Sequence, residues 1–240
     1  MQTKTKKKIG NLLFKYRGQF PLFIVLISIP FVYNERKIES SSLLFEIFFS
    51  LLLVFLGHAI RSLVVGHRNL HSSGKNRDQQ VAEKLNNTGI YSMLRHPLYF
   101  GNFFIWIGLL TFIQNLYFLL LGVLFFLFLY YFIFFVEEEY LRVKFKDEHK
   151  KWAKKTPIFL PSFSNYKKPQ GSFNWKMVWK NEYPGICASL SCIWFIQMLK
   201  VVFMHQQVPS YLIVWAMALV LFGFGSKYLK HKTNFFPKEG

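Results

Sequence analysis

Acidic residues are scarce: 12 Asp and Glu stand against 30 Lys and Arg in 240 residues, a formal net charge of +18. A chain this basic invites a nucleic-acid reading. Its positive charges alternate with apolar runs instead of forming one basic face. Membrane topology and attraction to anionic headgroups explain that pattern better. Cysteine is scarcer still. Cys187 and Cys192 lie inside one apolar segment, away from any cluster of His or carboxylates. That excludes a disulfide framework and a zinc site, and leaves two small core residues. The chain also lacks a GxxxxGK[ST] run, a GxGxxG run, an internal repeat and a low-complexity linker. The phosphate-cradling and dinucleotide-binding loops are therefore excluded.

What the chain has in quantity is apolar surface. Apolar residues make up 52% and Phe alone numbers 29. This predicts an all-α, polytopic integral membrane protein, one membrane domain over residues 1–240. About six transmembrane helices are expected: from about Leu12 to Tyr33, from Leu43 to Val65, two within 98–136, from Tyr183 to Met204, and from Pro209 to about Ser226. The run over 98–136 is too long for one crossing, which needs roughly 20 residues at about 1.5 Å each. Its polar break is Gln114-Asn115, so it should fold as an antiparallel hairpin. Both termini and the loops 66–97 and 137–182 then share one side and hold nearly all the Lys and Arg. The opposite links carry only Arg36 and Lys37. The positive-inside rule makes the basic side cytoplasmic.

The hairpin has a geometric consequence. Arg95-His96-Pro97 at its start and Glu137-Glu138-Glu139 at its end should meet at one water–membrane boundary. Pro97 suits the first helical turn, which puts His96 at a helix N-terminus where an anion is favoured. Arg95 adds a fixed cation, and Tyr91 and Tyr99 bracket the place. Taken alone, Arg95 and His96 read as boundary anchors, and the carboxylates as partners of Arg142 or Lys144 along their own helix. Together they offer both signs of charge to a zwitterionic ligand. Residues 71–91 read as a ligand-binding loop. Within the second span, His58 and Arg61 share a helix face, and ionisable groups in a membrane are functional or paired by default. His67, Arg68 and His71 follow just outside. Glu46 and Lys200 lie within spans without an assigned role.

The run Gly89-x-Tyr91-x-x-x-Arg95-His96-Pro97-x-Tyr99-x-Gly101, then a hairpin, Glu138-Glu139 and Pro161, resembles the isoprenylcysteine carboxyl methyltransferase and phospholipid methyltransferase superfamily. The likeness covers roughly residues 75–162, with 163–240 as a C-terminal pair of spans. It implies S-adenosylmethionine as cofactor. The matching positions are Gln80, Lys84, Leu85, Asn86, Tyr91, His96, Pro97, Leu98, Tyr99 and Glu138, with Arg95, His96 and Glu138 at the reacting centre. Carboxyl-methylating members are similar to one another in placing an Arg just before the Glu pair; here Phe134 stands near that place. The loop from His67 to Asn87 looks most like bacterial members that methylate a phosphate of lipid A. That resemblance implies an anionic lipid acceptor in the inner membrane, with the site facing the cytoplasm. Arg61, His67 and Arg68, with Arg95, are the candidates for holding its phosphate. No metal, no nucleic acid and no obligate protein partner are expected. The rivals are a prenylcysteine carboxylate, a phospholipid amine, and an NADPH-dependent oxidoreductase like the sterol reductases.

Overall fold

The computed structural model describes residues 3–35, 43–67, 83–233 and 235. The secondary structure is helical, with one isolated bridge, Gly89 to Lys167, and no strand among the described residues. Among the described residues four helices are long and apolar enough to cross a membrane, and a fifth, shorter one is also apolar.

The expected hairpin is present. Helix α5 runs Pro97–Phe112 and α6 runs Leu116–Lys155. Between them Gln114 takes a positive φ of 66°. The Asn115 side chain then caps α6, accepting from the Phe118 N–H at 2.8 Å. That bond satisfies one of the N–H groups a helix start leaves open. The turn is pinned from three sides. Gln114 donates to Glu46 at 3.0 Å, Asn115 donates to Glu35 at 2.6 Å, and Lys200 donates to Gln114 and to the Phe112 carbonyl. Glu46 and Lys200 thus secure the far end of the hairpin.

Helix α6 is longer than any membrane needs. Leu116 to Val136 covers about 31 Å at 1.5 Å per residue, so the rest projects beyond the apolar layer. At Lys146 the backbone leaves the helical region (φ 43°, ψ −113°) and the chain turns before Asp147 to Lys155. The helix stops at Thr156-Pro157, as a Pro dictates for the residue before it.

Helix α4, Leu43–Gly66, packs flush against α5. The closeness depends on small residues. A Cβ on Gly57 would stand 2.5 Å from the Gly101 carbonyl oxygen, and one on Gly108 would stand 2.7 Å from that of Ser50. Helices α7, Trp175–Phe203, and α8, Ser210–Lys232, close the bundle. Pro184 inside α7 removes the N–H that would bond the Lys180 carbonyl. Lys230 of α8 donates to that carbonyl instead, at 3.1 Å.

The N-terminal region departs from expectation. No continuous span runs from Leu12 to Tyr33. The chain forms three short helices, α1 (Thr3–Tyr16), α2 (Phe20–Ile27) and α3 (Ile29–Glu35). The breaks have local causes. Gly18 favours a turn after α1, Pro21 sits in the first turn of α2, and Pro30 starts α3 just past Ser28. α1 lies along α6, with Lys6 donating to the Tyr131 hydroxyl at 3.1 Å and Lys7 3.5 Å from Glu139. α5, at 16 residues, covers only about 24 Å, short of a ~30 Å apolar layer. The structure therefore supplies four full-length candidates where six spans were expected.

Candidate functional site

The segment before α5 is held by the chain that follows α6. Gly89 adopts φ 59° and ψ −139°, a conformation open to glycine at little cost. This lets its N–H reach the Lys167 carbonyl at 2.8 Å. Arg95 N–H donates to the Pro157 carbonyl, Ser162 N–H to Met93, and Trp152 Nε1 to the Tyr91 carbonyl, each at 2.9 Å. These bonds fix Arg95 and His96 at the mouth of the hairpin. The helix break at Lys146 is what brings Trp152 back within reach.

The basic and acidic ends of the hairpin form one knot. Arg95 Nη1 donates to Glu138 Oε2 at 2.5 Å. His96 Nε2 lies 2.9 Å from Glu138 Oε1, and its Nδ1 lies 3.2 Å from Glu137 Oε2. Tyr99 donates its hydroxyl to Glu137 Oε1 at 2.7 Å. His149, past the break, places Nε2 3.3 Å from Glu138 Oε2. The carboxylates therefore pair across the hairpin, not with Arg142 or Lys144 along their own helix. Phe134 stacks on the His96 ring, with centroids 4.6 Å apart and planes 20° apart, so the position without an Arg is filled by an aromatic face.

Residues 45–148 match the family model described as phospholipid methyltransferase. The matched segment holds α4, the hairpin and the whole knot, and it supports the methyltransferase superfamily that the motif resembles. No curated protein and no solved structure matched the chain.

Both nitrogens of His96 face carboxylate oxygens, and only the imidazolium can donate to both. Burial alone would favour the neutral ring. The hydrogen bonds to Glu137 and Glu138 and their charges overcome it and raise the His96 pKa above its ordinary value of about 6.5. The sign of the linkage follows. A raised folded-state pKa gives stability that is full below about pH 6.5 and is lost as pH climbs through the folded value. Each unit of elevation is worth about 1.4 kcal/mol. The melting temperature of the wild type should fall across that alkaline window, and His96→Asn should remove that part of the slope. Parallel slopes from pH 6 to 9 would show that His96 is not charged in the folded protein.

Behind the knot lies a cavity of about 1350 Å³. That exceeds the ~300–1,000 Å³ of an ordinary single-ligand pocket, so two ligands can share it. Leu85, Asn86 and Tyr91 line it, as do His96, Pro97, Leu98 and Tyr99. Along α7 the lining runs from Glu182 to Phe195, about 20 Å at 1.5 Å per residue. Its walls turn apolar in that direction, with Trp194, Phe195, Leu219 and Val220. Two buried donors at its polar end have no partner among the described residues: Asn86 Nδ2 and Arg95 Nε.

Other expected residues stand differently. Lys84 is exposed and does not line the cavity. Glu138 is turned into the knot, and Glu137 is the carboxylate that lines the cavity. His67 packs on Phe173 with ring centroids 5.2 Å apart, and its Nδ1 lies 3.0 Å from the Leu63 carbonyl, so it too is outside the lining. Gln80, Arg68 and His71 lie outside the described residues.

Arg61 does line the cavity, but its donors are engaged. Nε and Nη2 donate to the two oxygens of Glu182 at 2.7 and 2.8 Å, and Nη1 donates to Asn102 at 2.7 Å. Asn102 in turn donates to the Tyr130 hydroxyl at 2.9 Å. A bidentate pair of this kind is neutral overall and geometrically fixed. Arg61 is thus held at the cavity floor by Glu182 and Asn102. Sequence reasoning missed Glu182, Asn102, Tyr130 and His149. One signal was present for Glu182: an Arg inside a span demands a partner, and Glu182 is the acid placed at the start of another span.

Proposed function

We propose that this protein is an integral-membrane, S-adenosylmethionine-dependent methyltransferase acting on the headgroup of an anionic membrane lipid. Its most specific form is O-methylation of a phosphate of lipid A, at the cytoplasmic face of the inner membrane. The observation that carries the reading is the knot of Arg95, His96, Glu137 and Glu138 beside an amphipathic cavity. The match of residues 45–148 to a lipid-directed methyltransferase family supports it.

The residues present fit the cofactor. Arg95 Nε and Asn86 Nδ2 are buried donors without partners among the described residues, suited to the carboxylate of its amino acid part. Tyr91 and Tyr99 line the same end and offer ring faces to a cationic sulfonium. Glu137 supplies negative charge there. When bound, S-adenosylmethionine supplies a methyl group on a positively charged sulfur, ready for in-line displacement. The chain's own contribution is positioning. The knot fixes one wall, and the Arg61–Glu182 pair with Asn102 and Tyr130 fixes the other. Preorganised charge of this kind does not need to reorient during reaction. A phosphate oxygen is already anionic, so the reaction needs no strong general base, and none is assigned. The apolar extension along α7 and α8 accommodates acyl chain.

The test is direct. Purified protein in mixed micelles is incubated with methyl-labelled S-adenosylmethionine and inner-membrane lipid extract, and lipids are separated and weighed by mass spectrometry. The expected product is a lipid heavier by one methylene, about 14 Da. Absence of label in every lipid fraction, with protein that binds the cofactor, would overturn the reading.

A further inference from the structure

Resting on the lipid-directed reading above, we propose that Arg17, in the turn between α1 and α2, anchors the phosphate of the lipid headgroup and so sets acceptor specificity.

The argument begins with charge around the cavity. Among the described residues its lining includes the cations Lys15, Arg17, Arg61, Arg95 and Lys230 and two acids, Glu137 and Glu182. Arg61 is matched by Glu182 and Arg95 by Glu138. Glu137 is taken up by His96 and Tyr99. Among the described residues, no carboxylate pairs with Arg17. Arg17 thus brings a cation without a carboxylate partner among the described residues to the wall made by the α1–α2 turn.

Arg17 is also held in place. Its guanidinium stacks on Phe14, 3.7 Å from the ring centroid, and Nη1 donates to the Phe14 carbonyl at 2.7 Å. Phe14 itself is buried in the core. A guanidinium fixed by its face and one nitrogen presents the remaining edge of its fork to a ligand. That edge suits two phosphate oxygens. Arg17 lines the same cavity as Tyr99 and Tyr130, which belong to the knot and the cavity floor.

The turn's position depends on α1 docking against α6. A Cβ on Gly10 would lie 2.0 Å from Val136 Cγ2 and 2.7 Å from the Phe132 carbonyl oxygen. Only glycine allows that approach. Moving α1 outward would move Arg17 with it. Both residues lie before residue 45, outside the segment that matches the methyltransferase family. The acceptor anchor therefore lies in the N-terminal region outside the matched segment, and the matched segment supplies the cofactor side.

The test uses full-length protein in maltoside micelles. The probes are dihexanoyl phosphatidic acid, dihexanoylglycerol, inorganic phosphate and S-adenosylmethionine, each titrated by calorimetry. Wild type should bind the phosphatidic acid more tightly than either the glycerol or inorganic phosphate. Arg17→Gln should weaken phosphatidic acid binding about tenfold or more, the size of one charge-assisted hydrogen bond. Arg17→Lys should retain part of the affinity, and Gly10→Leu should reproduce the loss with Arg17 still present. Cofactor affinity should stay at wild-type level in the Arg17 variants. Unchanged phosphatidic acid binding in Arg17→Gln would overturn the proposal. So would an equal loss of cofactor binding, which would assign Arg17 to the cofactor carboxylate. Inorganic phosphate binding as tightly as the lipid would overturn the lipid source. Wild type that binds phosphatidic acid through Arg17 but not S-adenosylmethionine would defeat the methyltransferase reading alone.

Discussion

Replacing Glu138 by Gln should raise the dissociation constant for S-adenosylmethionine about 100-fold and reduce methyl transfer at least as much. The substitution keeps the shape of the side chain and removes one charge. That charge is shared among Arg95 at 2.5 Å, His96 at 2.9 Å and His149 at 3.3 Å. Charge-assisted hydrogen bonds such as those from Arg95 and His96 are worth about 1.5–3 kcal/mol each, and an amide, with one accepting oxygen and no charge, cannot replace both. Arg95 and His96 line the cavity, so loss of their common counter-ion lets both side chains leave the positions that face a ligand. A 100-fold change is about 2.7 kcal/mol, within that range. Glu139→Gln is the matched control. Its partner Lys7 has a side chain 54% exposed, and a pair of that kind contributes at most about 1 kcal/mol. Calorimetry on both variants separates the cases, and wild-type cofactor affinity in Glu138→Gln would contradict the role given to the knot.

Glu182→Ala should be the most destabilising single change in the membrane part of the molecule. The Glu182 side chain is 2% exposed and holds Arg61 by two bonds. Removing it leaves a buried guanidinium without its counter-ion, which costs about 3–5 kcal/mol in folded proteins. The double variant Arg61→Met/Glu182→Met should recover most of the lost stability, because replacing a buried pair by apolar side chains is close to neutral. It should remain inactive, since Asn102 and Tyr130 lose the anchor of their chain of hydrogen bonds. Melting temperatures in detergent, read for both singles and the double, give the coupling. Additive losses in the double would mean that Arg61 and Glu182 do not act as a pair.

The hairpin and the knot were legible in the sequence for simple reasons. The apolar run exceeded one membrane thickness, its single polar break fell at Gln114-Asn115, and the end charges then had to meet. The broken N-terminal region was not legible as such. Leu12 to Tyr33 averages as apolar, and a window that sums hydropathy does not weigh Gly18, Pro21 and Pro30 as stops. The turn at Lys146 left no signal either. The run Lys144-Phe145-Lys146-Asp147-Glu148 has neither Gly nor Pro and reads as helix, so the positive φ of 43° is imposed by packing of Trp152 and His149 on what lies below. The cavity floor was half legible. Arg61 announced a need for a partner, but the partner lies 121 residues away, beyond the reach of any spacing rule.

That separation has a bearing on biosynthesis. The Arg95–Glu138 contact joins positions 43 apart and can close once the hairpin has left the ribosome. Arg61 must wait for α7. Throughout that interval Arg61 is without the carboxylate that neutralises it in the folded protein, so the floor of the cavity can form only after the hairpin.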